Sequence, residues 1–182
     1  MNVHIISHTH LDAGWVKTYD GYYEDSEYYE WFLTFQLIKL ALNLKGVKEI
    51  IRTVIESLTN LEGLNSRKFT FVEMSYFSRY WNSVGAEEKQ VIRDLVTSGK
   101  LQFTSGGWVM NDEATPHYSM IIDQMSYGHR WINRTFGSKY LPTTGWQIDP
   151  FGHTIEFGSI LSQIGFNALF LGRIDYQVFD CH

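Results

Sequence analysis

The sequence predicts an α/β fold built on a parallel sheet, and three observations predict it. Five short β-branched or aromatic runs alternate with stretches of helical period, glycine or proline punctuates the joints, and polar residues gather behind the strand ends. Such alternation fits a doubly wound sheet or a β/α barrel. At 182 residues the chain has the size of one ordinary domain. Only some ten residues follow the fifth run and none forms a closing helix, so residues 1–182 are expected to be the front part of a larger barrel, truncated at the C-terminal end.

Val3 to Ser7 reads as the first strand, because three of its five residues are β-branched. Apolar residues at three- and four-residue spacing predict helices over 24–44 and 47–61, the second with Ile51, Val54, Ile55 and Leu58 on one face. Phe69 to Met74 is the second strand, followed by helical residues 76–81. A helix over 86–98 turns Val91, Ile92, Leu95 and Val96 inward and stops at Gly99. Leu101 to Thr104 is the third strand, and it runs into the Gly106-Gly107 turn. Residues 117–136 form a helix closed by Gly137, and 144–148 a strand that ends at Asp149-Pro150, where proline removes a ladder donor. A helix over 155–164 and a strand over 168–171 complete the series.

Composition excludes several classes. With 44% hydrophobic residues, 19% charged and no apolar run of about 18, the chain is globular rather than disordered and has no membrane span. A net charge of −5 and scattered cations exclude a nucleic-acid surface. Cys181 is the single cysteine, so no internal disulfide forms. The start Asn2-Val3-His4-Ile5-Ile6 has no signal-peptide pattern. Asn133-Arg134-Thr135 is an N-glycosylation sequon of small weight, because short motifs occur by chance.

Chemistry concentrates behind the strands. His10 and Asp12 follow the first, Asn111, Asp112 and Glu113 the third, Asp149 and His153 the fourth, and Arg173 and Asp175 the fifth. At i, i+2 spacing His10 and Asp12 point the same way and can share one cation, with zinc the natural choice. The same two residues also fit a polar loop in which Asp12 caps a turn. Asp149 fits a nucleophile, a metal ligand or both, and it equally fits an Asx-turn before proline.

HTHLDAGW (8–15), GGWVMNDEA (106–114), HYSMIIDQMSYG (117–128), GWQIDPFGHT (145–154) and LGRIDYQ (171–177) stand together in one chain. Their order and approximate spacing resemble the N-terminal catalytic domain of family 38 glycoside hydrolases, most of all the lysosomal-type α-mannosidases. The resemblance implies an incomplete parallel β/α barrel: about five βα units of a seven-stranded glycoside hydrolase/deacetylase-type barrel. It also implies zinc-dependent, retaining hydrolysis of terminal α-D-mannosyl residues of mannosides and N-glycans, in the lysosome or secretory pathway. By position, His10, Asp12 and Asp149 are ligands of one Zn2+ ion, and Asp149 is also the nucleophile. Trp15 and Phe151 line the mannose pocket, and Arg173 stands beside the nucleophile. His8 has no ligand role, and the resemblance assigns none to Asp112, Glu113 or His153.

In the family a fourth ligand, a histidine, and the acid/base aspartate come from later in the barrel. The chain is therefore expected to be a fragment with little or no turnover of an aryl α-mannoside on its own. Two other readings are a non-catalytic carbohydrate-binding remnant and a zinc carbohydrate deacetylase, the latter requiring a different histidine pair. Oligomeric state and linkage preference are not encoded in any motif.

Overall fold

The computed structural model describes residues 2–24, 46–59 and 67–174. The expected helix over 24–44 lies outside these residues except for Glu24, which ends the short helix α1 (Tyr19–Glu24). Asp175 and Cys181 also lie outside them.

The described residues form a mixed α/β fold in which every strand pair is parallel. Strand β1 (Phe69–Phe71) pairs with β2 (Leu101–Phe103), Phe69 opposite Leu101, and β3 (Thr144–Gln147) pairs with β4 (Ala168–Leu171), Thr144 opposite Ala168. Between the first pair come α3 (Met74–Ser83) and α4 (Ala86–Thr97), and between the second comes α6 (Ile155–Ile164). These two connections are helical crossovers, the form that parallel pairing requires. Helix α2 (Val47–Thr59) precedes β1, and α5 (Tyr118–Phe136) joins the two pairs.

The five expected strands do not hydrogen-bond as one sheet. The first is reduced to a bridge between His8 and Thr70, with the Thr70 N–H donating to the Ser7 carbonyl and the Thr9 N–H to the Thr70 carbonyl. Val3 and Ile5 are exposed, because β-branched side chains confer strand preference only where a partner is present to pack on. Between β2 and β3 a seam replaces the ladder. The Ser105 N–H and the Thr104 hydroxyl both donate to the Thr144 carbonyl, and the Trp146 N–H donates to the Ser105 hydroxyl oxygen at 2.7 Å. Ser105 adopts φ 52°, the left-handed region, which ends β2 and turns its hydroxyl across the seam.

Periodicity accounts for the helices. α2 buries Val47, Ile51, Ile55 and Leu58, a stripe at three- and four-residue spacing. α4 buries Ile92, Leu95 and Val96 but not Val91, which falls about 100° off that face. α5 starts at His117, whose ring accepts the Ser119 N–H, and α6 starts at Thr154, whose hydroxyl accepts the Phe157 N–H. One core lies under α2 to α5 around Phe71, Phe77, Ile92 and Ile132, and a smaller one joins α5 to α6 through Ile121, Met125, Phe157 and Leu161.

Gly128, in the middle of α5, lets the helix rest on the turn after β2. A Cβ there would stand 2.1 Å from the Gly106 carbonyl oxygen. The helix thereby supports the segment that carries Asn111 to Glu113.

Candidate active site and metal centre

His10, Asp12 and Asp149 converge. Each offers one ligand atom, and the three lie within 4.8 Å of one another. His10 Nε2 is 3.7 Å from Asp12 Oδ1 and 3.6 Å from Asp149 Oδ2. Ligand atoms about 2.0–2.2 Å from a tetrahedral zinc stand roughly 3.3–3.6 Å apart, so His10 Nε2 lies near ligand spacing from a carboxylate oxygen on each side. His8 is not part of this group. Its Nδ1 bonds to the Ile6 carbonyl, and its ring packs against Trp146.

The three groups open into a cavity of about 950 Å³ that Trp15, Asp112, Phe151 and Arg173 also line. Trp15 and Phe151 are about four-fifths exposed, which leaves ring surface open to a ligand, whereas Trp81 and Trp146 are buried. The Arg173 guanidinium stacks 4.0 Å from the Phe151 ring, and its Nη2 donates to Asp149 Oδ1 at 3.1 Å. Asp149 thus divides its oxygens, one toward His10 and the other held by arginine. A second cavity, of about 610 Å³ and lined by Thr70, Gln102 and Phe170 among others, has Lys139 as the one charged residue of its lining among the described residues.

Asp112 sits in the first cavity, but its carboxylate accepts the Thr115 hydroxyl and N–H. Chiefly through that hydroxyl, its pKa is held below the usual carboxylate range. It is therefore poorly suited to donate a proton.

Residues outside the cavity hold the backbone beside His10, Asp12 and Asp149 in place. Glu73 follows β1 and is fully buried. Its Oε2 accepts the Thr9 hydroxyl at 2.7 Å and its Oε1 the Leu11 N–H at 3.2 Å, so one carboxyl grips both neighbours of His10. The Tyr76 hydroxyl donates to the Asp12 carbonyl at 2.9 Å. Glu113, also buried, accepts from Gln147, His153 and the Thr154 N–H. Sequence reasoning placed Glu73 inside a strand and passed over it. The available signal was an acidic residue in Phe71-Val72-Glu73-Met74, an apolar run where a carboxyl needs partners.

Burial pushes the Glu73 carboxyl up to about 7, against the opposing hydrogen bonds from Thr9 and Leu11. A folded-state value above the unfolded one means the carboxyl's contribution is fully present below about pH 4.5 and is lost as pH rises through about 7. In chelator-treated protein, the stability difference between wild type and Glu73→Gln is expected to shift by up to about 3 kcal/mol over that window. Urea unfolding from pH 4 to 8 reads it, and identical pH slopes for the two proteins refute it.

Residues 1–180 match the family model described as Glycosyl hydrolases family 38 N-terminal domain. The chain is 46% identical to the lysosomal alpha-mannosidase of Cavia porcellus and 44% identical to that of Homo sapiens, each over 177 residues. It is 41% identical to the lysosomal alpha-mannosidase of Dictyostelium discoideum. Each match covers 97% of this chain and 16% of the relative, so the chain spans about a sixth of their length. An alpha-mannosidase structure from Enterococcus faecalis V583 shares the fold, with a TM-score of 0.59 at 17% identity over 91% of this chain and 16% of that one.

Proposed function

Because the chain belongs to the glycosyl hydrolase family 38 N-terminal domain family, we propose that it forms the N-terminal catalytic β/α domain of an α-mannosidase. In this reading residues 1–182 contribute about five βα units of a barrel that removes terminal α-D-mannosyl residues, with retention, from mannosides and N-glycans. The lysosomal relatives point to the same compartment for this protein. Among the described residues no helix is long and apolar enough to cross a membrane. The observation that carries the proposal is the convergence of His10, Asp12 and Asp149 at one cavity beside two exposed aromatic faces.

His10, Asp12 and Asp149 would hold one Zn2+ ion, which supplies a Lewis-acid hold on sugar hydroxyls that fixes and distorts the ring. The remaining chemistry belongs to the chain. Trp15 and Phe151 offer apolar faces to the C–H face of mannose. An Asp149 carboxylate oxygen attacks the anomeric carbon, while Arg173 holds the same carboxylate in orientation through Oδ1. The glycosidic C–O bond breaks, and its electron pair leaves with the aglycone oxygen. That oxygen requires a proton from a second carboxyl about 5 Å from the first. Asp12 is committed to the cation and Asp112 is held ionised, so neither serves as that acid.

A substrate whose leaving group needs no proton isolates the Asp149 step. An activated fluorosugar, 5-fluoro-α-D-mannosyl fluoride, loses fluoride as the anion when Asp149 forms its ester. Incubation of the chain with this reagent and zinc is expected to add one fluoromannosyl group to the peptide carrying Asp149, read by mass spectrometry. Chelator should abolish the label. Saturable mannoside binding without label would favour a sugar-binding module that has lost catalysis, and label on another residue would reassign the nucleophile.

A further inference from the structure

Glu113 and His153 do not line the cavity, yet their contacts reach the segment that carries Asp149 and Phe151 and the backbone of Arg173. The Glu113 side chain is 1% exposed and meets three donors: the Thr154 N–H at 2.8 Å, His153 Nδ1 at 2.9 Å and Gln147 Nε2 at 3.2 Å. Gln147 and Thr154 flank the segment that carries Asp149 and Phe151, so one buried carboxylate fastens both of its ends. The other ring nitrogen of His153, Nε2, donates to the Arg173 carbonyl at 2.7 Å. Arg173 in turn donates to Asp149 Oδ1. The contacts close a circuit from Glu113 through His153 and Arg173 to Asp149 and back along the chain.

We propose that Glu113 and His153 form a positioning unit that sets Asp149 and Arg173 relative to each other. The proposal rests on the roles given above to those two residues. A carbonyl only accepts, so Nε2 carries a proton, and the short Nδ1 to Oε1 contact holds a second whichever atom owns it. The imidazole is thus bonded at both ends and cannot turn without breaking one contact. Hydrogen bonds to the buried Glu113 carboxylate are stronger than neutral ones, so the unit is stiff at its Glu113 end and passes that order outward through His153 to the more exposed Arg173. Loss of His153 frees the Arg173 backbone while every contact of its guanidinium stays available. A role in packing alone predicts no such remote effect.

The test uses the 182-residue chain and two readouts. Zn2+ affinity is measured by competition with a chromophoric chelator for wild type, Glu113→Gln, His153→Asn, Asp149→Asn and the double variant Glu113→Gln/Asp149→Asn. The order of the Arg173 side chain is measured by 15N relaxation at Nε without metal, and melting temperatures monitor folding. Glu113→Gln and His153→Asn are expected to weaken Zn2+ about tenfold or more, the size typical of partners that orient metal ligands. Glu113→Gln should add nothing to Asp149→Asn, because the unit acts through that residue. His153→Asn should lower Arg173 order with its melting temperature nearly unchanged. Should Glu113→Gln fail to fold, His153→Asn alone decides, its ring being only partly buried.

Unchanged Arg173 order in a folded His153→Asn overturns the proposal, as does additive loss in the double variant. If wild type binds no Zn2+, the metal reading fails, while Arg173 order still tests the positioning unit.

Discussion

Asp149→Asn is expected to end covalent capture of the fluorosugar, slowing labelling by on the order of 10^4-fold or more, and to weaken Zn2+ by about 100-fold or more. An amide oxygen is a poor nucleophile, and it lacks the charge that a divalent cation draws on. The effect should separate cleanly from folding. Asp149 is 42% exposed, so its contacts with His10 and Arg173 are those of a surface cluster worth about 1 kcal/mol at most. Intact-mass labelling, chelator competition and thermal melting on one preparation give all three values. Asp12→Asn is the informative companion: it should weaken Zn2+ comparably while leaving the nucleophile in place, so that label still forms, slowly, at high zinc. Label persisting on Asp149→Asn sinks the assignment.

Gly128→Ala is expected to destabilise the chain by about 3 kcal/mol or more, at the severe end of overpacking. Alanine would ordinarily gain about 1 kcal/mol over glycine inside a helix. Here the added carbon meets the Gly106 carbonyl oxygen at 2.1 Å and the Gly107 backbone within 3 Å, and backbone cannot swing aside as a flexible side chain can. Gly158→Ala, in α6, is the matched control. Nothing lies within 4 Å of its Cβ and its φ is not positive, so it should stabilise by about 0.5–1 kcal/mol. Urea unfolding of both variants checks the pair, and equal effects of the same sign would contradict the close approach of α5 to the turn. Because that turn leads to Glu113, Gly128→Ala should also weaken Zn2+, and Gly158→Ala should not.

Local physics explains which parts of the fold were legible. The helix over 155–164 and the strand over 168–171 appear as expected, since their period, the Thr154 cap and the left-handed Gly165 stop all lie within the segment. Helices over 86–97 and 118–136 differ from expectation by a residue. The first strand differs most, because whether Val3 to Ser7 pairs depends on a neighbour and not on its own side chains. That His10, Asp12 and Asp149 come together followed from the family resemblance and not from spacing, since His10 and Asp12 alone also fit a capped loop and Asp149 an Asx-turn before proline. Glu73 and Glu113 were not legible. Each owes its role to burial and to donors 34 or more residues distant, which no spacing reveals.

The seam between β2 and β3 separates the two halves of the candidate metal group. His10 and Asp12 follow the segment paired with β1, and Asp149 follows β3, so a cation bound to all three would act as a clasp across a joint held by Ser105 and Thr104. Metal occupancy and cohesion of the joint are then two views of one equilibrium, since a ligand that needs both halves together favours the closed arrangement by mass action. Amide exchange at Ser105 and Trp146 should slow when zinc is added, more than at Phe71 or Leu169, which lie within a single strand pair.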